Sequence, residues 1–225
     1  MFKRSDLIKS YGKGSYTGPD APVHVKNERI TAIQGSNSKL VKYQSALCAE
    51  CNNARTQAHD RAYDRFVDWF SEHLDTVILA RKIDLEAVYE SEENRLNLFR
   101  YFAKCFGCRL NAANEPVPKD LSRLILGESN KFSLRLAFAI HDDIRILPEN
   151  DQRGYFAKGE LYRISDNAYS WHEGIACLRI GYFYNVEPPE GFGIVWTGSQ
   201  PSIELGNIRI LSDSEREEIR LRLLR

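Results

Sequence analysis

The sequence lacks any apolar run near the roughly 18–20 residues that a membrane-crossing helix needs. Its opening, MFKRSDLIKSYGKGSY, is basic but has no apolar stretch of the kind a secretory signal carries. A reducing cytoplasm is therefore the expected setting, with no membrane partner. In that setting paired cysteines more often mean metal or redox chemistry than disulfides. There is no G-x-x-x-x-G-K-[ST] loop, hence no P-loop nucleotide site, and no G-x-S-x-G nucleophile elbow. YGKGSYTG (11–18) has glycines around a lysine, but it follows no strand and reads as a loop. Internal repeats and low-complexity tracts are also missing. Net charge is absent too, with 31 Lys/Arg against 31 Asp/Glu. The balance is uneven along the chain: residues 1–56 hold nine Lys/Arg and four Asp/Glu. A basic first part is compatible with a phosphate-bearing partner or with an ordinary solvated surface.

What is present fits a soluble chain of 225 residues, long enough for one large domain or two small ones. The first 46 residues are rich in Gly, Ser, Lys and Asn. Within them, 22–33 (PVHVKNERITAI) reads as a hairpin and 39–43 (KLVKY) as a short strand. Residues 52–73 read as one helix, with Ala58, Ala62, Phe66, Trp69 and Phe70 on one face. The run 76–90 is ambiguous between helix and strand. Residues 92–110 are again helical, ended by Pro116 and Pro118, and 119–127 is a short helix closed by glycine. After residue 130 the pattern alternates. Runs 132–140, 160–165, 176–186, 192–196 and 202–211 predict an antiparallel sheet. SDSEREEIRLRLLR opens with two overlapping capping boxes, Ser212–Glu215 and Ser214–Glu217, and predicts a terminal helix. HDD (141–143) ends a strand and reads as a turn more readily than as a cation site. The expected class is α+β, divided into a helical, cysteine-bearing part (1–130) and a β-rich part with a C-terminal helix (131–225).

Five cysteines carry the strongest chemical signal. Four form two C-x-x-C pairs, Cys48/Cys51 in LCAEC and Cys105/Cys108 in KCFGC. Two such knuckles supply the tetrahedral sulfur set that zinc prefers. Cys48 and Cys51 precede a predicted helix, whose positive end favours the thiolate. A structural zinc on all four would join the two long helices and contribute about 10 kcal/mol or more to folding. The other readings are buried thiols that pack as small hydrophobes, and redox chemistry. Cys177 reads as core.

The stretch LCAECNNARTQ resembles the zinc-bearing HNH (His-Me finger) endonucleases. There a strand and loop lead to an LC-x-x-CN or LC-x-x-CH knuckle that opens the helix of a ββα-metal module. GSNSKLVKYQSAL resembles the Asn-containing loop ahead of that knuckle. AHDRAYDRF and RYFAKCFGCRL are similar to an uncharacterised bacterial and phage group of HNH-like proteins. The specific likeness spans about residues 35–66, with a weaker echo at 98–110. The sequence departs from the pattern in two places. No C-x-x-C precedes Cys48, and Asp6 stands where the general-base histidine belongs.

The resemblance implies a treble-clef or HNH-like zinc module with long helices, followed by the antiparallel β-rich part. It implies a nucleic-acid partner, and a nuclease of a bacterial or phage conflict system as one form of the activity. A nuclease of this kind uses a histidine to deprotonate water and a divalent cation, Mg²⁺ or Mn²⁺, on the scissile phosphate. The catalytic candidates are His24 as base, Asn37 to orient it, and Asn52 or His59 to face the cation. Asp60 and Asp64, four apart, are further ligands to consider or surface ion-pair partners. Lys39, Lys42 and Arg55 would contact phosphates. The alternative is a non-catalytic, zinc-stabilised module that binds a protein partner.

Overall fold

The structure, a computed structural model, describes residues 8, 11–14, 16–17, 22–26, 29–36, 38, 50, 54–148, 151–152 and 155–223. The hairpin expected at 22–33 is present: β1 (Val23–Lys26) pairs antiparallel with β2 (Arg29–Ala32). The strand expected at 39–43 lies outside the described residues.

The expected first long helix is α1 (Gln57–Glu72). Its buried face is His59, Ala62, Tyr63, Phe66, Val67 and Phe70; Ala58, placed on that face from the sequence, is exposed. The ambiguous run resolves into both candidates. Helix α2 (Leu74–Ala80) ends where Arg81 turns left-handed (φ 52), and the chain continues as strand β3 (Lys82–Asp84).

Helix α3 (Glu92–Ala112) is the centre of the molecule. Ser91 caps it by accepting from the Asn94 N–H, Glu92 and Glu93 sit in the first turn, and Arg109 in the last, which is the charge order the helix dipole favours. It is buried on nearly every side from Asn97 to Cys108 because it is sandwiched between two layers. On one side, Tyr63 of α1 stacks on Tyr101 at 4.0 Å. On the other, Phe102 meets Phe138 at 5.8 Å and Phe106 stacks on Tyr182 at 5.9 Å. Phe102 and Phe106 are fully sealed, and burial of a side chain of that size contributes about 1.5–3 kcal/mol. A short helix, α4 (Lys119–Ile125), closes at Gly127, whose φ of +73 suits glycine.

The remaining strands are β4 (Leu134–His141), β5 (Phe156–Lys158), β6 (Tyr162–Ser165), β7 (Ala168–Ile175), β8 (Leu178–Tyr184) and β9 (Ser202–Ile208), followed by α5 (Asp213–Leu223). The sheet runs β3-β9-β4-β8-β7-β5, with β6 also on β7. The sheet is mixed rather than wholly antiparallel as the alternation suggested, because β4 and β9 pair in parallel. Strand β7 was not visible in the sequence pattern. FGIVW (192–196), read as a strand, contributes a single bridge, Trp196 to Leu136. Of the two capping boxes, Ser212–Glu215 forms in both directions.

One apolar core runs from Ala62 and Tyr63 through α3 to Ile203 and Leu205. Together with the β3–β9 pairing, it crosses the boundary expected between residues 130 and 131. No helix among the described residues is long and apolar enough to cross a membrane.

Candidate metal centre

Polar residues on α3 follow a helical stripe of their own. Asn97, Arg100, Lys104 and Cys108 recur at spacings of three and four, and the rest of the stretch from Asn97 to Cys108 is apolar. Each of the first three has a partner brought by a neighbouring element. Lys104 donates to Asp60 Oδ1 at 2.6 Å and to Thr56 Oγ1 at 3.3 Å, both at the start of α1. Arg100 donates to Glu93 at 2.5 Å and to Asn130 at 3.4 Å. Asn97 faces His59 across the helix pair at 2.9 Å. The Lys104 ammonium also lies 5.5 Å from the centre of the Tyr101 ring.

Cys105 and Cys108 sit on successive turns of α3, 2% and 8% exposed. Burial pushes the Cys105 thiol up. It also pushes Cys108 up, to about 11, with the neighbouring Cys105 and Asp60 acting in the same direction. These are thiols at neutral pH, the reverse of the lowered pKa that a redox cysteine needs. A bound metal cation would draw their protons off. Cys108 follows Lys104 by one turn on the same stripe, so the Thr56 and Asp60 contacts to Lys104 bring the first turn of α1 to the face of α3 that carries Cys108.

Cys48, Cys51, Asn37, Asn52, Lys39 and Lys42 lie outside the described residues. Among the described residues no group of three or more His, Cys, Asp or Glu side chains is placed to hold a metal ion. Cys177 is fully buried, as expected, but in the turn joining β7 to β8 rather than within a strand.

The catalytic candidates are now distinguishable. His59 is 5% exposed, with Nδ1 2.9 Å from Asn97 Oδ1 and Nε2 2.9 Å from the Ile125 carbonyl. Burial lowers its pKa, and Arg100 and Lys104 add to that. The lowered pKa favours the neutral ring, whose single N–H donates to the Asn97 Oδ1 or to the Ile125 carbonyl according to its tautomer. Both nitrogens are used in tying α1 to α3 and α4. Neither faces water or a cation, so the role imagined for His59 at a catalytic ion has no geometry here. Asp60 is likewise occupied by Lys104. His24 is half-buried on β1, opposite Thr31. Arg55 is exposed and pairs with Glu50 at 3.2 Å, a surface contact of little energy.

The stripe Asn97–Arg100–Lys104 escaped the sequence reading because periodicity was sought in apolar residues. Polar residues at the same spacing carried the signal. Comparison with protein-family models, with curated proteins and with solved structures finds no match to the chain.

Proposed function

We propose that this chain is a zinc-stabilised, HNH-like protein that binds nucleic acid. The observation that carries the zinc half is the arrival of α1 beside Cys105 and Cys108. Thr56 and Asp60 both meet Lys104, the residue next to Cys105. Cys51 precedes Thr56 by five residues, and such a segment spans at most about 17 Å. A segment of that length would let the LCAEC cysteines reach the KCFGC pair. Four thiolates gathered there would bind zinc tetrahedrally, and the metal would fasten the start of α1 to the middle of α3.

The nucleic-acid half rests on the resemblance of LCAECNNARTQ and on the positive balance of residues 1–56. The order of hairpin β1–β2 before helix α1 agrees with a ββα module. Binding is favoured over cleavage by His59, whose two ring nitrogens are both consumed inside the fold. Any base for hydrolysis would have to be His24.

The test is metal per chain on protein purified without added metal, run beside binding and cleavage of DNA and RNA with Mg²⁺ or Mn²⁺. One zinc with nucleic-acid binding and no cleavage is the expected result. One zinc with cleavage abolished by His24→Ala would restore a nuclease. The absence of zinc would overturn the proposal.

A further inference from the structure

The outer face of the large sheet, turned away from α3, holds a charge with no partner among the described residues. Alternation puts Phe138 and Ile140 of β4, Trp171 of β7 and Ile180 of β8 into the core. Their neighbours Ala139, His141, His172, Gly174 and Arg179 therefore share the opposite face. Arg179 stands directly opposite Ala139 on one side and Gly174 on the other. Its guanidinium crosses a floor of small residues: a Cβ on Gly174 would lie 3.4 Å from Nη1.

Arg179 is half-buried and makes no hydrogen bond or ion pair among the described residues. The acids on β9 and at the end of β4 are committed elsewhere. Asp142 accepts from Asn207 at 2.8 Å and faces Arg81 and Arg145. Asp143 binds Arg216 at 2.7 Å and the N–H groups of Ile210 and Leu211. Glu204 of β9, on the same face, pairs with Lys82. A guanidinium withdrawn from water without a counter-charge is costly, and its fork of donors matches a phosphate.

Two histidines flank it on the diagonal. His172, opposite Gly181, is half-buried, with no hydrogen bond on either ring nitrogen among the described residues. The fold makes room for this ring at the expense of a side chain: a Cβ on Gly159 would come within 2.5 Å of Nε2. His141 is 7% exposed and its buried Nδ1 has no hydrogen-bond partner among the described residues, with Asp143 Oδ2 at 3.9 Å. Burial lowers the His172 pKa to about 4, and Arg179 and His141 push the same way. An anion on Arg179 would reverse the local field and let the imidazole take up a proton and a second hydrogen bond to the anion.

We infer that Arg179, with His172 beside it, forms a binding site for a phosphate group on the outer face of the sheet. The site uses none of the cysteines and stands independently of the zinc reading. Its ligand is either a phosphate of a nucleic-acid strand or that of a small nucleotide, which share the same recognition chemistry.

The experiment follows the His172 ring by NMR while inorganic phosphate is added to the full chain, against chloride at matched ionic strength. The expected result is a saturable movement of the His172 signals and a rise in its pKa. Arg179→Gln weakens the phosphate response by at least about tenfold, whereas Arg179→Lys retains part of it. Arg135→Gln, on the same face but paired with Glu187, leaves it unchanged. Displacement of phosphate by an oligothymidylate far more effectively than by thymidine monophosphate identifies a strand as the ligand. Equal displacement identifies a nucleotide, and either supports the site. A His172 ring that ignores phosphate, or a folded Arg179→Gln protein that responds as the parent does, overturns it.

Discussion

Lys104 Nζ stands 2.6 Å from Asp60 Oδ1, and the two ends of this bridge differ in their access to water. The lysine side chain is 5% exposed and the aspartate 28%. Removing the aspartate strands a sealed ammonium, left with the Thr56 hydroxyl at 3.3 Å and the Tyr101 ring at 5.5 Å. Asp60→Ala should therefore cost about 3 kcal/mol or more. Lys104→Met should cost less, because the freed carboxylate can turn outward. Denaturant unfolding of the two variants gives the order directly; equal losses would mean that the pair is not what sets stability at this junction.

The cysteines are expected to behave as two classes. Cys105→Ser should lose bound zinc and a large share of thermal stability together, as should Cys48→Ser. Cys177→Ala should keep the metal, since Cys177 is buried in the β7–β8 turn and belongs to neither C-x-x-C pair. Metal analysis of the three purified variants decides between the four-thiolate site and simple packing: intact zinc in Cys105→Ser rules out the former.

Two glycines should respond in opposite directions to alanine. Gly107 lies within α3, and its Cβ would meet Ile125, Val117 and Leu121 at 3.6 to 3.8 Å, ordinary contact distances. Gly107→Ala should stabilise the protein by about 0.5–1 kcal/mol through helix propensity. Gly206 on β9 has no such space, because a Cβ there would lie 2.1 Å from the Gly191 carbonyl oxygen. Gly206→Ala must move backbone, and a sharp fall in melting temperature is expected.

Acid should weaken the fold through its buried histidines. His59, His141 and His172 all have pKa values held below the ordinary 6.5, chiefly by burial. Each is neutral in the folded chain and charged in the unfolded one once the pH drops below about 6.5. Stability is therefore full above that value and is lost as the pH falls, down to about 4 for His172. Each of the two sealed rings, His59 and His141, contributes a slope of at most about 1.4 kcal/mol per pH unit. Unfolding measured from pH 7.5 to 5 should show this decline, and His59→Gln should flatten it. A profile level across that range would contradict the neutral assignment.

The helices were legible because their apolar spacing survives packing: Phe66 and Phe70 on α1, and Phe99, Phe102 and Phe106 on α3, all reach the core. Strand β7 was hidden by its own chemistry. Glu173 occupies a core-facing position, 3% exposed, where Tyr182 donates to it. A glutamate, followed by Gly174, breaks the alternation that a half-buried strand displays. FGIVW failed in the other direction. Its residues look like a strand, but Gly193 packs directly on β9, where a Cβ would fall 2.0 Å from the Glu204 carbonyl. The parallel β4–β9 pair was beyond reach, since alternation fixes faces but not neighbours. Of the site, the two C-x-x-C pairs were visible as spacing alone. The bridge that brings α1 to Cys108 needed tertiary structure, and so did the internal use of His59.

Strand β9 has a consequence for how the chain is made. It lies between β3 and β4, pairing with residues more than a hundred positions upstream as well as with β4. Those two strands leave the ribosome long before their common partner is synthesised. Until residue 208 is free, β3 has no neighbour and one edge of β4 is bare, while Phe138 and Ile140 are already waiting for a closed core. Closure of this sheet is thus deferred until β9 has been made, and a chain cut short before β9 would carry an open, apolar sheet edge, the kind of surface that aggregates or recruits a chaperone.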